Sequence, residues 1–121
     1  MDRDKRWQRT QKAYDAIASG LGRQTTRIAT TMAESYANGI TDEFIEPTVV
    51  IDSEGQPIGP IKDGDVVIVF NFRADRARQL TSALAFDNDR FTGFDRKCIP
   101  ETHVTTLTEY DATYGLAVAF K

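Results

Sequence analysis

The chain has 121 residues, which is the length of one ordinary domain and leaves no room for two. Its net charge is −3, with 15 basic and 18 acidic side chains interleaved along the chain, and this pattern argues against a nucleic-acid partner. No apolar run approaches the ~20 residues of a membrane-spanning helix, no secretory signal is evident, and the single cysteine, Cys98, fits a reducing compartment, so we expect a cytoplasmic protein without membrane contact.

Two amphipathic helices are predicted in the first third of the chain. The first covers residues 4–19, ends at Gly20, and has an apolar face formed by Trp7, Tyr14, Ile17 and Leu21. The second covers residues 26–37, ends at Asn38-Gly39, and has an apolar face formed by Ile28, Ala29, Met32, Ala33 and Tyr36. Residues 48–51 then form a short strand candidate, followed by a turn and a hairpin-like return through Pro57.

The clearest strand covers residues 66–72, which are apolar except for Asn71. Because this run does not alternate between apolar and polar residues, it predicts a central strand that is covered on both faces, as in a parallel sheet. A helix over residues 74–86 follows directly, with Ala77, Leu80, Ala83 and Leu84 facing the core. After a polar loop over residues 87–100, two further strands are predicted at residues 103–110 and 116–120.

This order of elements predicts an α/β fold with a partial layered sheet and flanking helices. The chain begins with helices and ends on a bare strand, and it supplies fewer strands than a complete doubly wound domain. We therefore interpret residues 1–121 as a single partial domain, a fragment of a larger domain.

The turn at residues 71–76, Asn-Phe-Arg-Ala-Asp-Arg, is the candidate ligand site. Open α/β sheets bind ligands beyond the carboxyl end of a strand, where a helix begins. A cation such as Arg76 in the first helical turn opposes the helix dipole by about 0.3–1 kcal/mol, and nearby Arg73 adds repulsion. An anion would reverse both penalties, because guanidinium groups match carboxylate and phosphate oxygens. The alternative, that both arginines pair with acids at the surface, remains open.

Several blocks of residues resemble one family. They are Met-Asp-Arg-Asp-Lys-Arg-Trp (residues 1–7), Lys-Ala-Tyr-Asp-Ala (12–16), Asn-Phe-Arg-Ala-Asp-Arg-Ala-Arg-Gln (71–79) and Thr-Glu-Tyr-Asp (108–111). In this order they are similar to the cofactor-independent, that is 2,3-bisphosphoglycerate-independent, phosphoglycerate mutases, and the resemblance spans essentially the whole chain.

The resemblance implies an enzyme of two domains. A phosphatase-like domain carries a serine nucleophile and two divalent metals, usually manganese, and a substrate domain holds the glycerate while phosphate rests on the serine. Together they interconvert 3-phosphoglycerate and 2-phosphoglycerate in glycolysis. The present chain resembles the C-terminal half of the substrate domain, and Arg3, Arg73 and Arg76 match family arginines that contact the substrate.

The chain also departs from the family pattern. Met1 falls inside the first motif, so the arginine that precedes it in the family is missing, and Met1 is interpreted as an internal methionine. The serine nucleophile, the pocket aspartates and every metal ligand are absent from the sequence, so we expect no catalytic residue and no bound cofactor in this chain. The isolated chain is expected to be inactive without its missing phosphatase-like partner. Two alternatives are a stand-alone, non-catalytic module that binds a small phosphorylated acid and a scaffold remnant.

Overall fold

The computed structural model describes residues 6–121. Within this range the chain forms three α-helices, one 3-10 turn and five short strands: α1 (Trp7–Ser19), β1 (Arg23–Thr25), α2 (Ile28–Ala37), the 3-10 turn (Asp42–Phe44), β2 (Thr48–Val50), β3 (Val66–Val69), α3 (Arg78–Ala85), β4 (His103–Thr106) and β5 (Ala117–Val118).

All pairs of strands in the two sheets are parallel. The smaller sheet pairs β1 with β2, and the larger sheet has the order β3-β4-β5. In the larger sheet Val66 lies opposite His103 and Ile68 lies opposite Thr105. Helices combined with parallel strands confirm the predicted α/β class. Residues 51 and 57 form an isolated antiparallel bridge, which confirms the hairpin-like return after β2.

The prediction that residues 66–72 form a central strand covered on both faces is wrong for the described chain. The strand ends at Val69 and lies at an edge of the three-stranded sheet. Val66 and Ile68 are 67% and 65% exposed, and Phe72 is 77% exposed. The ladder stops where side-chain hydroxyls donate instead to the backbone, that of Tyr110 to the carbonyls of Val69 and Asn71 and that of Thr108 to the carbonyl of Phe72. A run of apolar residues indicates that a strand is compatible with burial on both faces. It does not indicate that the same chain supplies the elements that cover those faces.

Helix α1 packs its predicted face against α3 and the loop that follows α3. Tyr14 is 1% exposed within a cluster that includes Phe91, and Trp7 meets Phe91 edge to face with ring centroids 5.5 Å apart. The helix begins at Trp7, and Arg6, which the prediction included, has a non-helical backbone. Leu21 is exposed rather than part of the apolar face, because Gly20 adopts a left-handed conformation with φ 65° and turns the chain away.

The predicted apolar face of α2 is also wrong. The buried side of this helix carries Thr31 and Ser35, whereas Ile28 and Tyr36 on the predicted face are exposed. Hydroxyl hydrogen bonds explain the difference, because Thr31 Oγ1 donates to Thr25 Oγ1 of β1 at 2.7 Å. Strand β1 was not predicted from the sequence. Helix α2 therefore packs through polar contacts on a strand that the hydrophobic pattern did not reveal.

Helix α3 begins at Arg78, four residues later than predicted. Residues 74–77 form a turn in which the N–H of Ala77 donates to the carbonyl of Ala74 at 3.0 Å. Ala77 and Ala83 are completely buried, as predicted. Arg76 lies in the turn rather than in the first turn of the α-helix, so the argument from the helix dipole does not apply to it. Strands β4 and β5 are shorter than predicted, and both lie inside the predicted ranges.

Candidate functional site

A cleft of about 640 Å³ opens between α1, residues 42–47 and the turn that joins β3 to α3. Among residues 6–121, six charged side chains line this cleft, three of each sign. The bases are Arg9, Lys12 and Arg76, and the acids are Asp42, Glu43 and Glu46. The bases come from α1 and the β3–α3 turn, whereas the acids all come from the segment around the 3-10 turn. The cleft therefore has a basic wall facing an acidic wall.

An ion pair and a hydrogen bond contact the acidic wall. Lys12 Nζ lies 3.1 and 3.2 Å from the two carboxylate oxygens of Glu46. The hydroxyl of Tyr36 donates to Asp42 Oδ1 at 2.6 Å. The hydrogen bond to this carboxylate raises the pKa of Tyr36, since deprotonation would place two negative charges together.

The floor of the cleft is a buried polar contact between two helices. Thr10 of α1 is 3% exposed and Gln79 of α3 is 8% exposed, and Thr10 Oγ1 donates to Gln79 Oε1 at 2.8 Å. The contact is shielded from water, so it fixes the distance between the helix that carries Arg9 and Lys12 and the helix that follows Arg76.

The two predicted arginines of the turn occupy different places. Arg76 lines the cleft, is about half exposed, and has Nη1 4.0 Å from Glu43 Oε1 on the opposite wall. Arg73 does not line the cleft; its side chain is 79% exposed, and its Nη2 lies 3.1 Å from Asp75 Oδ2. The structure thus places one of the two predicted arginines in the cleft and pairs the other with an acid beside it. Arg3, the third predicted substrate contact, lies outside the described residues.

Three side chains from outside the β3–α3 turn hold it in position. The Tyr110 hydroxyl donates to the carbonyl of Asn71 at 2.5 Å and approaches the carbonyl of Val69 at 3.2 Å. Thr108 Oγ1 donates to the carbonyl of Phe72 at 3.0 Å, and Arg78 Nε donates to the carbonyl of Tyr110 at 2.9 Å. Burial raises the pKa of Tyr110 further above neutral pH than that of an ordinary tyrosine.

Sequence reasoning missed the basic side chains that α1 contributes. Arg9 and Lys12 lie outside the predicted apolar face of α1, which indicated only a solvent-exposed side, yet both line the cleft. Their spacing of three residues was an available signal, because it places both on one face of a helix. The sequence could not reveal that this helix face lines the same cleft as Arg76.

Among residues 6–121 no group of three or more His, Cys, Asp and Glu side chains is arranged to hold a metal ion. The single histidine, His103, is exposed at the start of β4. No helix in the described range combines the length and apolarity that crossing a membrane requires.

Comparisons with known proteins agree on one family. Residues 1–112 match a family model described as BPG-independent PGAM N-terminus. The chain is 54% identical over 121 residues to the 2,3-bisphosphoglycerate-independent phosphoglycerate mutase of Thermomicrobium roseum, and 50% identical to mutase 2 of Methanosarcina acetivorans. Each match covers 99% of this chain and 23% of the relative, so the chain spans about a quarter of the length of these relatives.

A solved structure is also similar. The structure of Leishmania mexicana phosphoglycerate mutase at low cobalt concentration matches with a TM-score of 0.81 and 31% sequence identity. The match covers 95% of this chain and 21% of the other.

Proposed function

Because the chain belongs to the family of BPG-independent phosphoglycerate mutases, we propose that it is the substrate-binding part of an isomerase that interconverts 3-phosphoglycerate and 2-phosphoglycerate. In this proposal residues 1–121 form the C-terminal half of the substrate domain of a longer protein. The remainder of that protein supplies the phosphatase-like domain and its serine nucleophile. The reaction belongs to glycolysis and takes place in the cytoplasm.

The observation that carries the proposal is the position of Arg76. It lies beyond the carboxyl end of a parallel strand, in a cleft, with a carboxylate contact of 4.0 Å that is too long for a hydrogen bond. A guanidinium group in this setting has N–H donors available for the oxygens of a small acid, and its planar fork matches carboxylate and phosphate groups. Its role is to hold the glycerate in place while phosphate moves between the hydroxyls.

Arg73 and Arg3 are proposed as further substrate contacts on the strength of the family motif. The ion pair between Arg73 and Asp75 does not exclude this role, because exposed pairs of this kind contribute only about 0–1 kcal/mol. An arginine that is 79% exposed can exchange such a partner for an incoming anion by rotating its side chain.

The two divalent metals of the family, usually manganese, do not fit the residues described. Residues 6–121 offer no cluster of carboxylate, imidazole or thiolate groups that could hold an ion. We therefore assign metal binding and phosphoryl transfer to the remainder of the longer protein. Binding and orientation of the substrate are the contribution of this chain.

The exposed face of the larger sheet supports the interpretation as a partial domain. Val66, Ile68, Phe70 and Phe72 are all at least 65% exposed, although parallel sheets are normally covered on both faces. We propose that the remainder of the longer protein covers this face. If so, a cysteine placed at Ile68, with the exposed Cys98 replaced by serine, should react slowly with a thiol reagent in the full-length protein and rapidly in the 121-residue chain; equal rates at residue 68 would contradict the assignment.

The test of the proposed function is the Arg76→Ala variant of the full-length protein. Losing a charge-assisted hydrogen bond costs about 1.5–3 kcal/mol, so kcat/KM for 3-phosphoglycerate should fall roughly 10- to 150-fold. Arg23→Ala is the matched control. Arg23 also pairs with a glutamate, Glu34 at 3.3 Å, but it lies outside the cleft, and its removal should leave kcat/KM unchanged. Wild-type kcat/KM in Arg76→Ala would refute the site.

A further inference from the structure

Tyr110 contacts both ends of the segment that carries the two arginines. We call residues 70–77, which join β3 to α3, the arginine turn. At its start, the Tyr110 hydroxyl donates to the carbonyl of Asn71 at 2.5 Å. At its end, the carbonyl of Tyr110 accepts a hydrogen bond from Arg78 Nε at 2.9 Å, and Arg78 is the first residue of α3. One residue, 32 positions away in sequence from Arg78, thus bridges the whole turn.

The hydroxyl matters most to the carbonyl of Asn71. The carbonyl of Val69 also accepts the N–H of Leu107 at 2.8 Å, so it keeps a partner without the hydroxyl. For the carbonyl of Asn71, by contrast, the donor found among residues 6–121 is the Tyr110 hydroxyl. Tyr110 is only 4% exposed and its hydrogen bond to Asn71 is partly buried, so water replaces the lost donor only in part. Asn71 lines the cleft beside Arg76, and a shift of its backbone would therefore move the cleft wall.

We propose that Tyr110 is a positioning residue that fixes the arginine turn and so aims Arg76 into the cleft. The inference rests on the proposed function, because it concerns the geometry of the same substrate-binding group. Tyr110 does not touch the substrate in this scheme. It acts through the backbone of the turn, and misplacing a substrate-binding group by ~1 Å can cost on the order of 100-fold in rate.

The test uses the full-length enzyme with Tyr110→Phe, which keeps the ring and removes only the hydroxyl. Tyr14→Phe is the matched control, because Tyr14 is also buried and its hydroxyl also donates to a backbone carbonyl, that of Cys98 at 2.6 Å. We expect similar small losses of Tm in both variants. Of these two variants, Tyr110→Phe alone should lower kcat/KM for 3-phosphoglycerate, by about tenfold. Thr108→Val, which removes the weaker anchor on Phe72, should lower it by a smaller factor.

A double-mutant cycle with Arg76→Ala separates positioning from general destabilisation. If Tyr110 acts through Arg76, the effect of Tyr110→Phe on kcat/KM should largely disappear in the Arg76→Ala background. An effect of equal size in both backgrounds, or no effect of Tyr110→Phe, would overturn the positioning role while leaving the proposed function intact. Normal kcat/KM in Arg76→Ala alone would overturn both.

Discussion

The buried hydrogen bond between Thr10 and Gln79 gives a sharp prediction about stability at the floor of the cleft. Thr10→Val preserves the shape of the side chain and removes the hydroxyl, which leaves Gln79 Oε1 buried without this donor. An unsatisfied buried acceptor costs about 1–3 kcal/mol, so Thr10→Val should lower the free energy of unfolding by that amount. Gln79→Met should cost less, about 0.5–1.5 kcal/mol, because a helical threonine hydroxyl can donate instead to the carbonyl four residues before it.

Urea denaturation followed by tryptophan fluorescence measures these changes, because Trp7 is the only tryptophan of the chain and packs against the core. The double variant Thr10→Val with Gln79→Met removes both polar partners. It should be less destabilised than the sum of the single variants by at least about 0.5 kcal/mol, since no polar atom is then left unpaired. Strict additivity, or a Thr10→Val variant as stable as the wild type, would refute the reasoning.

Three other predictions concern the same core. Gly20→Ala should lower the free energy of unfolding by about 2–5 kcal/mol, because it adds left-handed strain of about 1–2 kcal/mol and places a new Cβ only 2.5 Å from Pro57. Gly39→Ala, with φ 74° and open space around the new Cβ, should cost the strain alone. Equal losses in urea midpoints for the two variants would contradict this. Phe91→Ala should cost about 3–5 kcal/mol in the same assay, and a loss below 1 would show that the aromatic cluster is not the core. Burial raises the pKa of Tyr14, so the unfolded chain loses the phenol proton first as pH rises, and the free energy of unfolding should fall above about pH 10. Tyr14→Phe should therefore flatten the decline in urea midpoints between pH 8 and 11. An unchanged slope would count against the raised pKa.

The features of the fold that could be predicted from the sequence are those set by hydrophobic periodicity and strong local signals. Helix α1, its end at Gly20, and the parallel α/β class followed from these patterns. Helix α2 shows where the approach fails. Its apolar residues predicted the wrong face, because Thr31 and Ser35 pack through hydroxyl hydrogen bonds on a strand of three residues that has no apolar signature. Short polar strands depend on tertiary pairing, which a periodic pattern does not contain.

The candidate site was predictable only where a local sequence motif marks it. The motif singled out Arg73 and Arg76, and the structure places Arg76 in the cleft. The argument from the helix dipole was nevertheless wrong, since α3 begins only at Arg78. The opposing wall could not be predicted, because Lys12 and Glu46 are 34 residues apart and meet only through the packing of α1 against the segment before β2.

The two arginines of the turn are three residues apart, yet their electrostatic settings differ in a way that bears on binding. Arg73 has a carboxylate oxygen of Asp75 at 3.1 Å, within hydrogen-bonding distance, so an anion that takes this place must replace a formed contact. The carboxylate of Glu43 lies 4.0 Å from Arg76, beyond hydrogen-bonding distance, and is 65% exposed, so water screens most of their attraction. A phosphate or carboxylate group at Arg76 would therefore form hydrogen bonds that Glu43 does not form, while Glu43 can turn toward solvent. An anion therefore gains more binding free energy at Arg76 than at Arg73. The anchoring of the arginine turn by Tyr110 matters because it holds Arg76 in place.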